Sequence, residues 1–178
     1  MGNCFGNNKD DAKKHKGSMK LSNAGIKELR MTYQIGKLLG NGSYGKVFLA
    51  TNKKDRSHQV AIKVIDKTDL DEDDLESLRN EVGILQKVDH PNIVKYYETY
   101  EDHNAIYLVM EFLNGGEILD TITSSKRNIE ELVREVMEKM ARAMIHINSM
   151  NITHKDIKPD NIMFQGDGTP KLIDFGLS

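Results

Sequence analysis

Short stretches rich in apolar, β-branched and aromatic residues occur between Tyr33 and Phe112, and such stretches are typical of β-strands. Turn-forming residues separate the first strand from the second and the fourth from the fifth. The pattern predicts five strands, at 33–39, 46–51, 60–65, 96–100 and 105–112. The first two strands form a hairpin with glycines at its tip.

Apolar residues three and four positions apart indicate the helices. One helix follows the third strand, and its apolar stripe comprises Leu75, Leu78, Val82 and Leu85. A short helix is predicted at 117–124 and a long one at 129–150. The buried stripe of the long helix comprises Leu132, Val136, Met140, Ala143 and Ile147. A polar loop and a small hairpin of 162–164 with 171–173 follow.

The first 32 residues differ in composition from the rest of the chain. They carry seven basic and three acidic side chains and almost no apolar periodicity, whereas the 178-residue chain as a whole has a net charge of −2. Such a segment buries too little apolar surface to offset the entropy lost on ordering. We therefore predict a disordered basic tail at 1–32 and a folded domain at 33–178.

The start of the tail resembles an acylation signal. Removal of Met1 would leave Gly2 as an N-myristoylation site with Cys4 nearby for palmitoylation, although Gly6 stands where the motif has serine or threonine. An unmodified tail is the alternative. One acyl chain binds membranes only marginally, so stable attachment would need Cys4 or the lysines as a second signal.

The overall composition restricts the location and the partners. A single cysteine argues for a reducing compartment, and no apolar run approaches the roughly 20 residues that span a bilayer. The small net charge predicts no general affinity for nucleic acid. We expect a cytoplasmic protein, at the cytoplasmic face of a membrane if the tail is acylated.

The glycines of the first hairpin are the first candidate binding element. The hairpin tip holds Gly40, Asn41, Gly42, Ser43, Tyr44 and Gly45. Glycines at a turn let backbone N–H groups approach phosphate oxygens. Because a strand follows them, a dinucleotide-binding fold, which needs a helix there, is disfavoured. A plain glycine-rich turn remains the alternative for this motif taken alone.

Two charged residues occupy positions where apolar ones are expected. Lys63 lies within the apolar strand 60–65, and Glu81 projects from the apolar stripe of the following helix. A buried ammonium is unfavourable unless it is paired, so each residue is a sensible partner for the other. The pair is either purely structural or part of a nucleotide site, and the adjacent glycine hairpin favours the nucleotide site.

Further polar residues follow the long helix. Asp156, Lys158 and Asn161 lie in a loop in which proline blocks helix formation, and Asp174 follows the last strand beside a phenylalanine and a glycine. Neither short motif is specific alone. Their order along the chain, after the glycine hairpin and the Lys63 strand, is what carries the information.

Together these motifs resemble the first part of a eukaryotic protein kinase catalytic domain, from Tyr33 to Ser178. The resemblance rests on the glycine-rich loop, the Val-Ala-Ile-Lys strand, the helix glutamate, the catalytic loop and Asp-Phe-Gly in family order. It implies an α+β fold with a complete five-stranded small lobe at about 33–112 that carries one major helix. The beginning of a mainly helical large lobe would occupy about 113–178.

The resemblance also implies how ATP would be bound. The apolar side chains that would sandwich adenine are Leu39, Val47, Ala61 and Met163. The backbone of Glu111, Phe112 and Leu113 would bond its edge, with Met110 behind the pocket. Glu117 would reach the ribose.

The catalytic roles implied by the resemblance fall on six residues. Lys63, oriented by Glu81, would hold the α- and β-phosphates. Asn161 and Asp174 would bind Mg²⁺. Asp156 would accept the proton of the substrate hydroxyl, with Lys158 as the catalytic-loop lysine.

Lys158 is similar to the lysine of serine/threonine kinases, so a protein serine or threonine is the expected substrate. The stretch from Leu108 to Asp120 and the acylation-like start look most like the calcium- and calmodulin-dependent branch. No calcium-binding or calmodulin-binding segment is recognised, because the alternating aspartates at 69–73 lack the glycine and glutamate of a calcium loop.

The sequence ends two residues after Asp-Phe-Gly, whereas kinase domains continue into an activation segment and further helices. We therefore expect the 178-residue polypeptide by itself to be poorly soluble and inactive in phosphotransfer. Two hypotheses follow from this. The first is a serine/threonine kinase that uses ATP and Mg²⁺, of which this is the N-terminal portion. The second is a non-catalytic protein that binds nucleotide or a partner at a membrane.

Overall fold

The computed structural model describes residues 25–42, 45–68, 70–124, 128–154 and 156–173. Its main element is an antiparallel sheet in the order β1-β2-β3-β5-β4. The strands are β1 (Tyr33–Gly42), β2 (Gly45–Asn52), β3 (Gln59–Asp66), β4 (Tyr96–Glu101) and β5 (Ala105–Glu111). This sheet confirms the predicted five-stranded small lobe, with strand ends within three residues of the predicted ones.

The helices and a second, two-stranded sheet complete the described fold. The helices are α1 (Gly25–Thr32), α2 (Glu72–Leu85), α3 (Ile118–Ser124) and α4 (Ile129–Ser149). The small hairpin consists of β6 (Ile162–Phe164) and β7 (Pro170–Leu172), preceded by a single 3-10 turn. The α+β class is therefore confirmed. None of the described helices is both long and apolar enough to cross a membrane.

The two faces of the large sheet pack against different helices, because successive strand residues point to opposite sides. On one face, residues such as Ala61, Ile65 and Leu108 pack with the apolar stripe of α2. On the other face, Ile62 and Val109 pack with residues of α1. Successive residues along β3 and β5 therefore belong alternately to two different hydrophobic cores.

The helix α1 corrects the predicted disorder of residues 1–32. Leu29 has no exposed surface and packs into the core on the outer face of the sheet. The Asp102 carboxylate accepts hydrogen bonds from the backbone N–H of Ile26 (3.2 Å) and from the hydroxyl of Tyr107 (3.0 Å). Two helical turns show too little periodicity to be recognised, since their order comes from the sheet they cover. Residues 1–24 lie outside the described residues, and their disorder stays a prediction.

The long helix α4 follows the predicted pattern. Asn128 caps its N-terminus by accepting a hydrogen bond from the backbone N–H of Glu130 (3.0 Å), and two glutamates in the first turn complement the helix dipole. All five residues of the predicted stripe are buried. Three of them form a core with Ile162, Phe164 and Leu172 of the small hairpin. The helix thus fixes the position of the loop between itself and β6.

We predict that Leu29→Ala destabilises the protein by about 2 kcal/mol or more, because it removes fully buried side-chain volume. Met31→Ala, in the same helix but 76% exposed, should change stability by less than about 0.5 kcal/mol. Urea unfolding of both variants measures the difference. Equal effects of the two substitutions would show that α1 does not dock on the sheet.

Candidate active site

A cleft of about 480 Å³ lies between the large sheet and the small hairpin. Its volume is within the usual range of small-molecule sites. Strands β1, β2, β3 and β5 supply one side, and the segment from Asp156 to Met163 supplies the other. Fifteen of the residues predicted from the sequence line this cleft, and the following paragraphs place them.

Apolar side chains form the inner part of the cleft. Leu39 and Val47 come from the glycine hairpin, Ala61 from β3 and Met163 from β6. Ala61 lies directly opposite Met110 in the β3–β5 pairing, so both line the cleft from adjacent strands. All four of these residues line the cleft, and together they form an apolar slot between the sheet and the hairpin.

The glycine hairpin closes one side of the cleft. Gly40 and Asn41 line the cleft. Gly42 and Gly45 pair with each other across the hairpin tip. Gly45 has φ of +146°, and a Cβ atom there would lie 2.0 Å from the Val64 carbonyl oxygen. Glycine is therefore required at this position so that β2 can approach β3. Ser43 and Tyr44 lie outside the described residues.

Lys63 is 3% exposed and lines the cleft from the middle of β3. It lies opposite Val47 on one neighbouring strand and opposite Leu108 on the other. An ammonium held between apolar neighbours interacts strongly with an anion, because little water screens it. The cleft therefore has a fixed cationic group beside its apolar slot.

The segment that links the two sides of the cleft runs from Glu111 to Leu113. The Glu111 carboxylate accepts hydrogen bonds from Lys171 Nζ (2.8 Å) and from the Lys95 backbone N–H (3.2 Å). These contacts hold the side chain to β7 and to the residue before β4. The backbone of 111–113 still borders the cleft, as predicted for a segment that recognises a ligand through its main chain.

Glu117 reaches the cleft because the chain after this segment runs beside β6. The Gly115 N–H donates to the Phe164 carbonyl (2.8 Å), the Phe164 N–H donates to the Gly116 carbonyl (2.8 Å), and Glu117 bridges to Met163. Glu117 precedes α3, which begins one residue later than predicted. Glu117 is exposed and lines the cleft, and its predicted contact with a ribose stays a prediction.

Asp156, Lys158 and Asn161 line the cleft and contact one another. Lys158 Nζ lies 2.8 Å from Asp156 Oδ2, and Asn161 Nδ2 donates to the same oxygen (3.0 Å) and to the Asp156 carbonyl (2.7 Å). The Lys158 ammonium, followed by the Asn161 amide, holds the pKa of the Asp156 carboxyl below its usual range. The group is therefore a carboxylate at neutral pH.

The buried Asn161 also contacts the end of the small hairpin, since its carbonyl accepts the Ile173 N–H (2.8 Å). Asp174 follows Ile173 in sequence but lies outside the described residues. Glu81 lies in α2, and its side chain is likewise outside the described part of the structure. The predicted roles of Asp174 and Glu81 stay predictions, as do those of Gly2 and Cys4.

Sequence reasoning missed four residues that line the cleft, which are Val94, Tyr96, Asp160 and Ile173. Tyr96 lies opposite Met110 in the β4–β5 pairing, so knowledge of the strand register would have identified it. Ile173 directly precedes the predicted Asp174. Val94 is an ordinary apolar residue with no chemical signal in the sequence, and its backbone N–H donates to the Leu172 carbonyl (2.9 Å).

Comparison with known proteins identifies the fold and the family. The family model of the protein kinase domain matches residues 33–178. Calcium/calmodulin-dependent protein kinase type 1 of Macrobrachium nipponense is 37% identical over 182 residues, with 98% of this chain and 51% of the relative covered. Calcium-dependent protein kinase 4 of Plasmodium falciparum is 40% identical over 151 residues, with 82% of this chain and 28% of the relative covered.

A solved structure gives the same result. The crystal structure of Rad53 1–466 in complex with AMP-PNP matches with a TM-score of 0.73 and 32% identity, over 84% of this chain and 40% of that chain. This chain spans about half the length, or less, of the relatives it matches. The family match covers every described residue of the cleft. The chain therefore belongs to the eukaryotic protein kinase family, in its serine/threonine branch related to the calcium/calmodulin-dependent kinases.

Proposed function

We propose that this protein binds ATP with Mg²⁺ in the cleft and transfers the γ-phosphoryl group to a serine or threonine hydroxyl of a protein. The observation that carries the proposal is the meeting of three unlike environments in one cleft. These are an apolar slot, the buried Lys63 ammonium and the polar group around Asp156. These three environments suit the base, the phosphates and the reacting hydroxyl, respectively.

The apolar slot fits a purine ring. Val47 and Ala61 of the large sheet and Met163 of β6 all line the cleft, so a base bound among them would be removed from water. The backbone of 111–113 at the slot's edge supplies donors and acceptors for the base edge. Glu117, at the mouth, is placed to accept hydrogen bonds from ribose hydroxyls.

The polar end of the cleft fits a metal-bound triphosphate. Lys63 would hold phosphate oxygens, while the Asn161 side-chain oxygen and, from the sequence, Asp174 would hold Mg²⁺, which prefers oxygen ligands. When bound, Mg²⁺ neutralises charge on the transferred phosphoryl group. Lys63 would add a further positive charge, so the chain would mainly position and stabilise what it binds.

Asp156 would orient the substrate hydroxyl and take up its proton. Its lowered pKa keeps it charged and able to accept a hydrogen bond at neutral pH. Asn161 fixes the carboxylate by two hydrogen bonds, and Lys158 neutralises part of its charge. The similarity to calcium/calmodulin-dependent kinases supports signalling downstream of calcium as the biological setting.

We predict that Lys63→Met weakens the binding of Mg²⁺ and AMP-PNP about tenfold or more, because it removes the charged contact to phosphate. Isothermal titration calorimetry on the 178-residue protein measures this affinity. Lys37→Met, which removes an exposed lysine of β1, is the matched control and should bind as the unsubstituted protein does. Equal affinity of all three proteins would contradict a phosphate site at Lys63.

Asp156→Asn should lower phosphoryl transfer about 100-fold or more while leaving nucleotide affinity nearly unchanged, since it removes the proton acceptor but not the phosphate contacts. The measurement uses radiolabelled ATP and serine- and threonine-containing peptides with affinity-purified protein from the cells that make it. Asp167→Asn, in the exposed β6–β7 turn, is the control. Nucleotide binding without any transfer by the unsubstituted protein would favour the non-catalytic alternative.

We also propose that the N-terminal tail attaches the protein to the cytoplasmic face of a membrane. The support is the Gly2 and Cys4 acylation pattern together with the surplus of lysines in the first 32 residues. Acyl chains supply apolar burial and lysines supply attraction to anionic lipids. The protein remains cytoplasmic in either lipidation state.

Gly2→Ala should abolish incorporation of labelled myristate in cells and move the protein to the soluble fraction, because alanine offers no acceptor glycine. Cys4→Ser should retain the myristate but weaken membrane retention. Gel fluorography and fractionation measure both effects. No label on the unsubstituted protein would refute the acylation.

A further inference from the structure

Glu101, at the end of β4, forms ion pairs with two cationic side chains. Only 7% of its surface is exposed. Its Oε1 atom lies 2.8 Å from Lys67 Nζ and 2.5 Å from Arg79 Nη2, and its Oε2 atom accepts a hydrogen bond from Arg79 Nε (3.1 Å). The Arg79 contact is two-pronged, which fixes the direction of both side chains as well as their distance. This group is named the Glu101 cluster below.

The charges of the Glu101 cluster attract one another strongly. The Arg79 guanidinium, followed by the Lys67 ammonium, holds the pKa of the Glu101 carboxyl below its usual range against the opposing effect of burial. Lys67 is further fixed by donating to the Asp102 carbonyl (3.0 Å). A carboxylate that is mostly buried and paired in this way strongly resists displacement of either cation.

The two cations belong to the two elements that carry the proposed phosphate-binding pair. Lys67 follows the end of β3, four residues after Lys63, and Arg79 lies in α2, two residues before Glu81. Between β3 and α2, the described residues Thr68, Leu70 and Asp71 belong to no helix or strand. Glu101 therefore sets the distance between β3 and α2 at their junction.

A second hydrogen bond fixes the other end of α2. Gln86 Nε2 donates to Thr99 Oγ1 (2.7 Å), and Thr99 is buried two residues before Glu101 on β4. Arg79 and Gln86 are seven residues apart, so the two ties are about two helical turns apart along α2. Two fixed points on one strand define the direction of the helix as well as its position.

We propose that Glu101 is a positioning residue for the nucleotide site, which through Arg79 and Lys67 holds α2 at the distance from β3 that Lys63 and Glu81 require. This inference rests on the proposed function, since it assumes that Lys63 binds phosphate. Glu101 itself is absent from the residues that line the cleft within the described chain. Its influence on the nucleotide therefore passes through the helix.

The test uses Glu101→Gln and Arg79→Lys in the 178-residue protein. Glu101→Gln keeps the shape and removes the charge, and it should weaken Mg²⁺-AMP-PNP binding about five- to tenfold. Hydrogen exchange of the α2 amides should become roughly fivefold faster. Arg79→Lys keeps the charge but loses the two-pronged contact, so its effects should be intermediate.

Two control variants separate positioning from general destabilisation. Asp102→Asn alters the adjacent carboxylate, which contacts α1 and not α2, and it should lower stability without changing nucleotide affinity. Arg142→Ala breaks an exposed ion pair with Glu138 (2.6 Å) on α4 and should change neither property. An equal loss of affinity in Asp102→Asn and Glu101→Gln would overturn the proposal.

A double-mutant cycle with Lys63→Met tests the route of the effect. If Glu101 acts by positioning Lys63, Glu101→Gln should weaken binding no further once Lys63 is replaced. Fully additive losses would overturn the inference while leaving the nucleotide site intact. If the unsubstituted protein binds no nucleotide, the proposed function fails. Hydrogen exchange then decides by itself whether Glu101 holds α2 in place. Unchanged protection of the α2 amides in Glu101→Gln would overturn the positioning role of Glu101.

Discussion

The burial of the Lys63 ammonium within an apolar sheet face is the constraint on which the other features of the site depend. Strand β3 places it between Val47 and Leu108, where water cannot replace an ionic partner. A lysine at a freely exposed position would be screened and mobile. Here the backbone register of three strands fixes the position of the charge relative to the apolar slot.

The second requirement is a constant separation between the large sheet and the loop from Asp156 to Asn161. Backbone hydrogen bonds maintain this separation. Val94 donates its N–H to the Leu172 carbonyl (2.9 Å), and Leu172 donates its own to the Asn92 carbonyl (2.9 Å). The Lys171–Glu111 ion pair adds a contact beside the linking segment. The residues before β4 and the strand β7 thus form a joint between the two sides of the cleft, although they are nearly 80 residues apart.

Local sequence patterns were sufficient where one element decides the outcome. The apolar runs of β3 and β5 and the stripe from Leu132 to Ile147 were predicted correctly. The two strands are buried on both faces and therefore show nearly continuous apolar runs, whereas burial of one face of α4 imposes a helical period. The helix α1 was wrongly predicted as disordered. Its eight residues depend on the sheet beneath Leu29 and on the Asp102 carboxylate, 76 residues away from Ile26, and no local pattern reports such a contact.

The sequence by itself determined the order of the elements, the family and most of the residues at the cleft, because the motifs of this family require particular residue types in a particular order. Only the tertiary structure decided that Tyr96 and Val94 join the cleft and that Glu101 meets both Lys67 and Arg79. A surface-type residue such as glutamate at a strand end has no signature of burial. Its partners are selected by how the chain turns between β3, α2 and β4, which depends on the packing of the whole sheet.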